Sequence, residues 1–478
     1  MILTLKQINE LFMVRVVHVS RFWHRLSQKM KYVFVGVLLG GAFAHPMFWW
    51  TAFFGIVLLV QLVRDTNRVS DVLKGTLLAG FVQFLIVLFW FWSTHPIEGF
   101  RMTWELSFVA VFISWVLSAV SIGIGKLLVT IPLFLLRTKK WVLYTVPVLW
   151  VLSDMAGAFL HTILTYGPGT TWNTNFSFGW LGYLMAVNPL FLPLAGIGGV
   201  FVLTFVYVFI AVFLLDNAST KSNSIRTFTY VLVLVTAIGG VLPVPDRESD
   251  IDYKVATIET TTGSLRGVSG EDAEVYFSDL FGKILNAIKD GAEYIVLPEG
   301  ASMTNMFDSP QDALLYLTDA SDGKVILVDS AWYYVDDESS YVRARIYDTR
   351  SMQIYEMDKQ YLVPQGEFMP YLFIYIMKMF GFSEGVAYYS NIFNYVPGEK
   401  TDSAAYPSYL PGIMFCFESV SPFGVRKAAS YRNVPFVAHP VSHAWFNEPE
   451  MLWYQLDLML KVNARFGGVP VFQAANNY

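Results

Sequence analysis

The chain has 478 residues, 54% of them apolar and only 15% charged, with a net charge of −5; its mean hydropathy is +0.45. Such a length corresponds to about three domains of roughly 150 residues each, but this composition excludes three soluble ones, and the lack of a basic stripe excludes nucleic acid as a partner. One cysteine in the whole chain excludes an internal disulfide.

Residues 1–31 carry Lys6, Arg15, Arg21, Arg25, Lys29 and Lys31 against Glu10 alone. The apolar run that follows is too long for a signal peptide and has no cleavage-like site, so a basic segment lying on the cytoplasmic surface is predicted. Residues 32–63, 75–97, 106–125, 155–215 and 227–245 hold no Asp, Glu, Lys or Arg. A crossing helix needs about 20 apolar residues. Tyr32–Val63 therefore makes two short spans broken at His45-Pro46, where proline interrupts the helical ladder. Gly75–Trp92 makes a third, and Trp104–Gly125, running on toward Leu136, a fourth. Trp141–His161 is the fifth, Trp180–Leu215 a long sixth after the polar link 166–178, and Thr227–Val244 the seventh. Asp154 lies inside the fifth span, where a carboxylate is either functional or hydrated near the span's end.

Basic residues set the orientation. Arg64, Arg68 and Lys74 lie between spans two and three; Lys126, Arg137, Lys139 and Lys140 between four and five; Lys221 and Arg226 between six and seven. The alternate loops hold only Arg101. A cytoplasmic amino terminus and seven crossings put everything after residue 245 outside the cytoplasm. Three regions follow: a basic segment 1–31, a helical membrane domain 32–245 and an extracytoplasmic domain 246–478.

Beyond residue 246 strand and helix signals alternate, which means a layered α/β fold. Strands are expected at 253–261, 293–297, 324–329, 341–348, 352–357, 412–417, 435–440 and 469–474. Helices are expected at 270–290, 309–320, 420–431 and 448–466. The aromatic and Met-rich stretch 368–382 reads equally as a lid dipping into lipid or as an ordinary buried helix.

Three reactive residues each follow a strand signal. Glu299 follows EYIVLP, Lys359 opens KQYLVPQGEFMP, and Cys416 lies in PGIMFCFESVSP. A lone cysteine is commonly inert packing. Here an apolar strand, a carboxylate two residues on and a Pro/Gly break favour a thiol presented at a turn. A thiolate is the nucleophile, so a base must take its proton; Glu299 is the candidate. Lys359 is a fixed cation for the negative charge of a tetrahedral intermediate. No histidine has metal-ligand spacing, the nearest pair being His439 and His443, and no phosphate-binding glycine motif is present. No cofactor is expected.

The order Glu–Lys–Cys at strand ends resembles the nitrilase, or carbon–nitrogen hydrolase, superfamily. LPEG at 297–300, the Lys359–Pro370 string, FCFE at 415–418, HAWF at 443–446, AANN at 474–477 and FAHPMFWW at 43–50 resemble the apolipoprotein N-acyltransferase family over nearly the whole chain. That resemblance implies a seven-span helical bundle ahead of an αββα sandwich. It implies Glu299 as general base, Lys359 as oxyanion stabiliser and Cys416 as nucleophile, with Glu367 and Glu418 supporting them. It also implies a multi-pass protein of a bacterial inner membrane, working as a monomer. A phospholipid would acylate Cys416, and the thioester would pass to the α-amino group of a diacylglyceryl-cysteine on a lipoprotein. The chain departs from the pattern at Phe417, where Tyr is usual, at Gln365, at Ser442-His443 and at Glu259-Thr260. It stops at Tyr478 where the family continues, which reads as a sandwich cut short before its last strands and an eighth span. Two rival readings stay open: a membrane-anchored amidase using water as acceptor, and a non-catalytic scaffold.

Overall fold

A computed structural model of the chain describes residues 23, 25–97, 103–168, 170–217, 223–240, 242, 252–261, 271–334, 340–379, 381, 383–392, 395–398, 406–430, 433–447 and 449–477. Most of the expected basic segment 1–31 lies outside the described residues, as do the region boundary near 246 and Arg101; Arg25, Lys29 and Lys31 are described, the last two in a helix that begins at Gln28.

The helical half runs α1 (Gln28–Gly41), α2 (Thr51–Asp65), α3 (Val69–Val87), α4 (Trp104–Ile124), α5 (Leu127–Leu135), α6 (Val146–Leu164), α7 (Ala195–Asn217) and α8 (Asn223–Gly239). The break between α1 and α2 falls at His45-Pro46, as the sequence predicts; a short 3-10 turn, Pro46–Phe48, fills it. Among the described residues, four helical stretches are long and apolar enough to cross a membrane: Val69–Val87, Trp104–Leu135, Lys140–Leu164 and Leu192–Asn217. The chain is a membrane protein. Helices inside a bilayer gain little from hydrophobic burial and pack by close approach of small residues. Accordingly, a Cβ at Gly36 would lie 2.6 Å from the Ala79 carbonyl oxygen and one at Gly40 2.5 Å from that of Gln83, so α1 rests directly on the backbone of α3.

Two expectations are corrected here. The sixth helix does not begin at Trp180. Residues Leu181–Val187 and Leu192–Leu194 form 3-10 turns. Pro189 and Pro193 interrupt the ladder, and the long helix starts at Ala195 with a break at Gly198-Gly199, where Gly199 has φ +58°. Lys126 is not a loop charge either. It is 2% exposed at the junction of α4 and α5, and its Nζ sits 2.6 Å from Asp154 Oδ1. Asp154 is itself 2% exposed, so it is paired inside the bundle rather than hydrated at a span end. Lys126 also lies over the face of Trp150, 4.6 Å from the ring centroid, a cation–π contact that helps keep the charge away from lipid.

The second half is an αββα sandwich. One sheet has the order β1-β2-β3-β4-β5: Val255–Thr257, Tyr294–Val296, Ile326–Tyr334, Ser340–Asp348 and Gln353–Asp358. Its first three strands are parallel, and β3-β4-β5 are antiparallel. The other sheet, β6-β7-β8, is parallel: Gly412–Ile413, Val437–Ser442 and Val471–Asn476. Parallel strands need helical crossovers. α9 (Glu271–Lys289) and α10 (Pro310–Ser321) provide them on one side, packing Leu280, Ile284, Leu314 and Leu317 against Ile295, Leu297 and Leu327. On the other side α13 (Gly424–Ala429) and α14 (Glu450–Gly467) cover β6 and β7 through Val425, Ala428 and Leu460 against Met414 and Val437. Val296, Val328 and Ile346 meet Ile413, Ala438 and Ala474 between the sheets. α11 (Tyr371–Met379) and α12 (Ser383–Ile392) follow the Lys359–Pro370 string.

The expected strand 412–417 is only two residues long. Its ladder ends after the Met414 N–H donates to the Ala438 carbonyl at 3.0 Å, because Pro440 of β7 has no N–H to carry it on; the Phe415 N–H, on the edge away from β7, donates to Glu418 Oε2 at 3.0 Å. Residues Cys416–Val420 then form a 3-10 turn, and the helix expected over 420–431 is confined to α13. The stretch 368–382 is neither free nor fully buried. Phe373 packs with Ile97, Ile113 and Trp445, while Tyr371, Tyr375 and Met379 are exposed.

Candidate active site

Ligand-binding groups in α/β sheets gather at the carboxyl ends of strands, and the two sheets are stitched together there. The Thr260 N–H donates to the Ala475 carbonyl at 3.1 Å, the Asn477 N–H to the Thr260 carbonyl at 2.7 Å, and the Glu299 N–H to the Val441 carbonyl at 3.3 Å. Glu299 follows β2 by way of Pro298. The chain turns sharply after it at Gly300, φ +78°, a conformation glycine adopts without strain. Lys359 directly follows β5, with its N–H donating to the Val342 carbonyl at 2.9 Å. Cys416 opens the 3-10 turn after β6.

These placements bring the predicted residues together. Lys359 Nζ donates to Glu299 Oε1 at 2.9 Å and to Glu367 Oε1 at 2.7 Å. Lys359 is 1% exposed, and Glu299 and Glu367 are each 8% exposed. The half-buried Cys416 thiol makes a long contact of 4.0 Å to the Ser442 carbonyl, and it lies within reach of the Glu299 charge. Glu367 also accepts from the Val363 N–H through Oε2 at 2.7 Å, which fixes its own loop and aims its other oxygen at Lys359. Glu418 touches none of the three. It accepts from the N–H groups of Gln360 at 2.9 Å and Tyr361 at 3.2 Å with one oxygen, and from Phe415 with the other. It therefore ties the Lys359 loop to the Cys416 turn through backbone. Phe417 has no hydroxyl to offer; its ring packs on Tyr361, centroids 5.0 Å apart.

The electrostatics suit proton transfer. Burial pushes the Cys416 thiol up to about 12, the Glu299 charge adds to that, and the Lys359 cation opposes it. Burial also raises the Glu299 carboxyl, and Glu367 pushes the same way, while Lys359 pulls it down. Burial alone would lower the Lys359 ammonium, but Glu299 and Glu367 outweigh it and hold the proton on. The resting site thus has a neutral thiol beside a carboxylate and a permanent cation. When Cys416 attacks a carbonyl carbon and its proton passes to Glu299, one negative charge moves from the carboxylate to the new oxyanion. The site's total charge is unchanged, and Lys359 remains next to it. That sequence of events needs no metal or organic cofactor. The ring nitrogens of His439 and His443 are occupied at Nδ1 by the Met414 carbonyl (2.7 Å) and Asn477 Oδ1 (3.0 Å).

A pH measurement tests this arrangement. Glu299→Gln removes a charge that raises the thiol and leaves the cation that lowers it. Alkylation of Cys416 by iodoacetamide should then begin at lower pH than in the native chain, while acyl transfer is lost. An onset unmoved or shifted to higher pH would contradict the assigned interaction.

Sequence reading missed the contacts that join the site to the helical half. Ser114 Oγ, midway along α4, donates to Gln365 Oε1 at 2.8 Å, at the point where the Lys359 loop turns through Gln365 with φ +65°. The Tyr371 N–H donates to the Tyr166 carbonyl at 2.9 Å. Gln455 Nε2 of α14 donates to the Val87 carbonyl of α3 at 3.0 Å. The available signals were single polar residues in otherwise apolar stretches.

A buried thiol, carboxylate and ammonium at the strand ends of an αββα sandwich define the equipment of thiol-dependent acyl-group chemistry. Comparison with known proteins narrows this. Residues 35–213 match the family described as "Apolipoprotein N-acyltransferase N-terminal domain". Over 457 residues the chain is 22% identical to the apolipoprotein N-acyltransferase of Rickettsia prowazekii, covering 93% of this chain and 85% of that protein. It is 25% identical to that of Aquifex aeolicus over 426 residues, 82% of this chain and 89% of that one. Among solved structures, an amidase of the nitrilase superfamily from Nesterenkonia aligns with 50% of this chain and 79% of its own at 15% identity, with a TM-score of 0.30. The resemblance read from the sequence therefore holds across both halves: this chain is similar to apolipoprotein N-acyltransferases.

Proposed function

We propose that the protein is an apolipoprotein N-acyltransferase that uses Cys416 as nucleophile, Glu299 as general base and Lys359 as oxyanion stabiliser. The observation that carries this is the buried Lys359 ammonium held between Glu299 and Glu367 beside the chain's one thiol. In the first step Sγ bonds to the acyl carbon of a phospholipid ester as its proton passes to Glu299. The ester C–O bond then breaks, and the lysophospholipid oxygen takes that proton. In the second step the free α-amino group of a diacylglyceryl-cysteine attacks the thioester. A C–N bond forms, the C–S bond breaks, and Glu299 relays the amine's proton to the leaving sulfur. One base serving both half-reactions makes the kinetics ping-pong.

The helical half favours this over hydrolysis of a soluble amide, because both substrates stay in the bilayer. An apolar groove of about 350 Å³ lined by Val82, Leu85, Ile86, Phe89, Trp115 and Met451 has the lining an acyl chain needs. The exposed Tyr371, Tyr375 and Met379 of α11 suit a surface that meets lipid. We take the chain to cross the inner membrane seven times as a monomer, with domains 32–245 and 246–478 on the membrane and extracytoplasmic sides. Arg64, Arg68, Lys74, Arg137, Lys139 and Lys140 support that orientation without Lys126. A reporter active only in the cytoplasm, fused near residue 250, should be silent; activity there would invert the topology and remove the lipoprotein reading. The function itself is tested by acyl transfer from a labelled phospholipid to a diacylglyceryl peptide. Release of free fatty acid alone, with no amide formed, would contradict it.

A further inference from the structure

The Cys416 turn is anchored at its far end by Ser177 of the helical half and by Asn463 on α14, the sandwich helix that packs against the bundle. A 3-10 turn has poor hydrogen-bond geometry, and its last carbonyls have no partner within it. Those carbonyls here are Ser419 and Val420, and each is met from outside, as is that of Ser421, which also accepts from the Gly424 N–H at 3.0 Å. Asn463 Nδ2, on α14, donates to the Ser419 carbonyl at 3.2 Å and the Ser421 carbonyl at 3.1 Å. Ser177 Oγ, on the link after α6, donates to the Val420 carbonyl at 2.5 Å. From the same link Asn175 Oδ1 accepts from Ser421 Oγ at 3.0 Å. Ser177 and Asn463 are both fully buried, so no solvent competes for these carbonyls.

Both donors are also tied to the bundle. Ser177 Oγ is also bonded to Tyr183 OH at 2.8 Å, within the 3-10 turn that packs on α7. Leu452, Leu458, Met459 and Val462 of α14 belong to the same buried cluster as Trp180, Leu184, Leu203 and Tyr207. Val420 itself is part of that cluster. Glu418 holds the front of the turn to the Lys359 loop, while Asn463 and Ser177 hold its back to the bundle. The thiol is thus located by a fit between two halves of the chain.

We propose that Ser177 of the helical half and Asn463 of α14, at the seam between bundle and sandwich, are positioning residues that set Cys416 against Glu299, so that thiol reactivity depends on how the bundle packs against the sandwich. Asn463→Leu keeps the shape and removes the donor; Ser177→Ala removes one hydroxyl. In the full-length protein, folded Asn463→Leu should lose acylation rate on the order of 10²-fold, the scale of a 1 Å misplacement of a reacting group, with KM for phospholipid unchanged. Alkylation of its Cys416 by iodoacetamide should show an altered pH profile in the folded protein, on top of the stability lost from buried carbonyls left without Asn463. Ser177→Ala should move both in the same direction by less. A purely structural role would lower the midpoint and leave the alkylation profile of the folded protein as it was.

This inference rests on the proposed nucleophilic role of Cys416, yet alkylation needs no lipid. A native chain that transfers no acyl group overturns the function while the alkylation comparison still decides the positioning. Native alkylation profiles and acylation rates in both folded variants overturn the proposal. If Asn463→Leu fails to fold, Ser177→Ala alone decides, and a native profile there is the overturning result.

Discussion

Lys359→Met should cost the protein both stability and turnover. Methionine matches the length of the lysine stem but leaves Glu299 and Glu367, 2.9 and 2.7 Å from the missing ammonium, facing each other without a cation. Removing one partner of a buried pair typically destabilises by about 3–5 kcal/mol. The site can escape part of that only by protonating a carboxylate. Since Lys359 is what pulls Glu299 down against burial and Glu367, Glu299 takes up the proton and ceases to be a base. The loss of the cation beside the oxyanion contributes roughly 10²–10³-fold in acylation rate, and the silenced base adds to it. Adding Glu367→Gln to Lys359→Met should restore part of the thermal stability, because one of the two uncompensated carboxylates is gone, and none of the activity. Thermal unfolding and single-turnover acylation of the two variants check this. A Lys359→Met protein with native stability would mean that the two carboxylates are not held by that ammonium.

Substitution of Cys416 should have the largest effect on chemistry and a small one on folding. The thiol makes one long contact, to the Ser442 carbonyl, so its loss unties no part of the sandwich. Cys416→Ala should abolish acyl transfer, a loss on the order of 10⁶-fold by analogy with nucleophile deletion in hydrolases. Cys416→Ser should be nearly as inactive. Glu299 can accept a proton from a thiol brought near a carbonyl, but an alkoxide is far harder to generate near pH 7 than a thiolate. Both variants should unfold at the native temperature, and a large drop would instead assign Cys416 to packing.

The reactive residues were legible because each sits where a strong local signal ends. EYIVLP, MQIYEMD and PGIMF are short apolar or alternating runs, and Glu299, Lys359 and Cys416 follow them at the carboxyl ends of β2, β5 and β6. The helix at 271–289 and the hairpin of β4 and β5 were legible for the same reason of periodicity. Lys126 was misread because a cation at a helix junction and a cation in a loop look alike in one dimension; only the bundle shows that it faces Asp154. The length of β6 was misread because its partner strand carries Pro440, which has no N–H to continue the ladder past Met414, while the apolar pattern of β6 itself continued. The sixth helix began late because prolines and the Gly198-Gly199 break outweighed an unbroken apolar composition. The junction of the two halves was invisible, since Gln365 with Ser114 and Ser177 with the Cys416 turn join residues too far apart in sequence for any spacing to link them.

The most direct measurement is made on the native chain with a phospholipid labelled in its acyl group. With no amine acceptor present, label should collect on the peptide that contains Cys416. Hydroxylamine at neutral pH should release it, and adding a diacylglyceryl-cysteine peptide should move it to that peptide's α-amino group. The chain has no other cysteine, so a thioester can form nowhere else. A well-folded Cys416→Ala protein that still transferred the labelled acyl group to the amine would contradict the assignment.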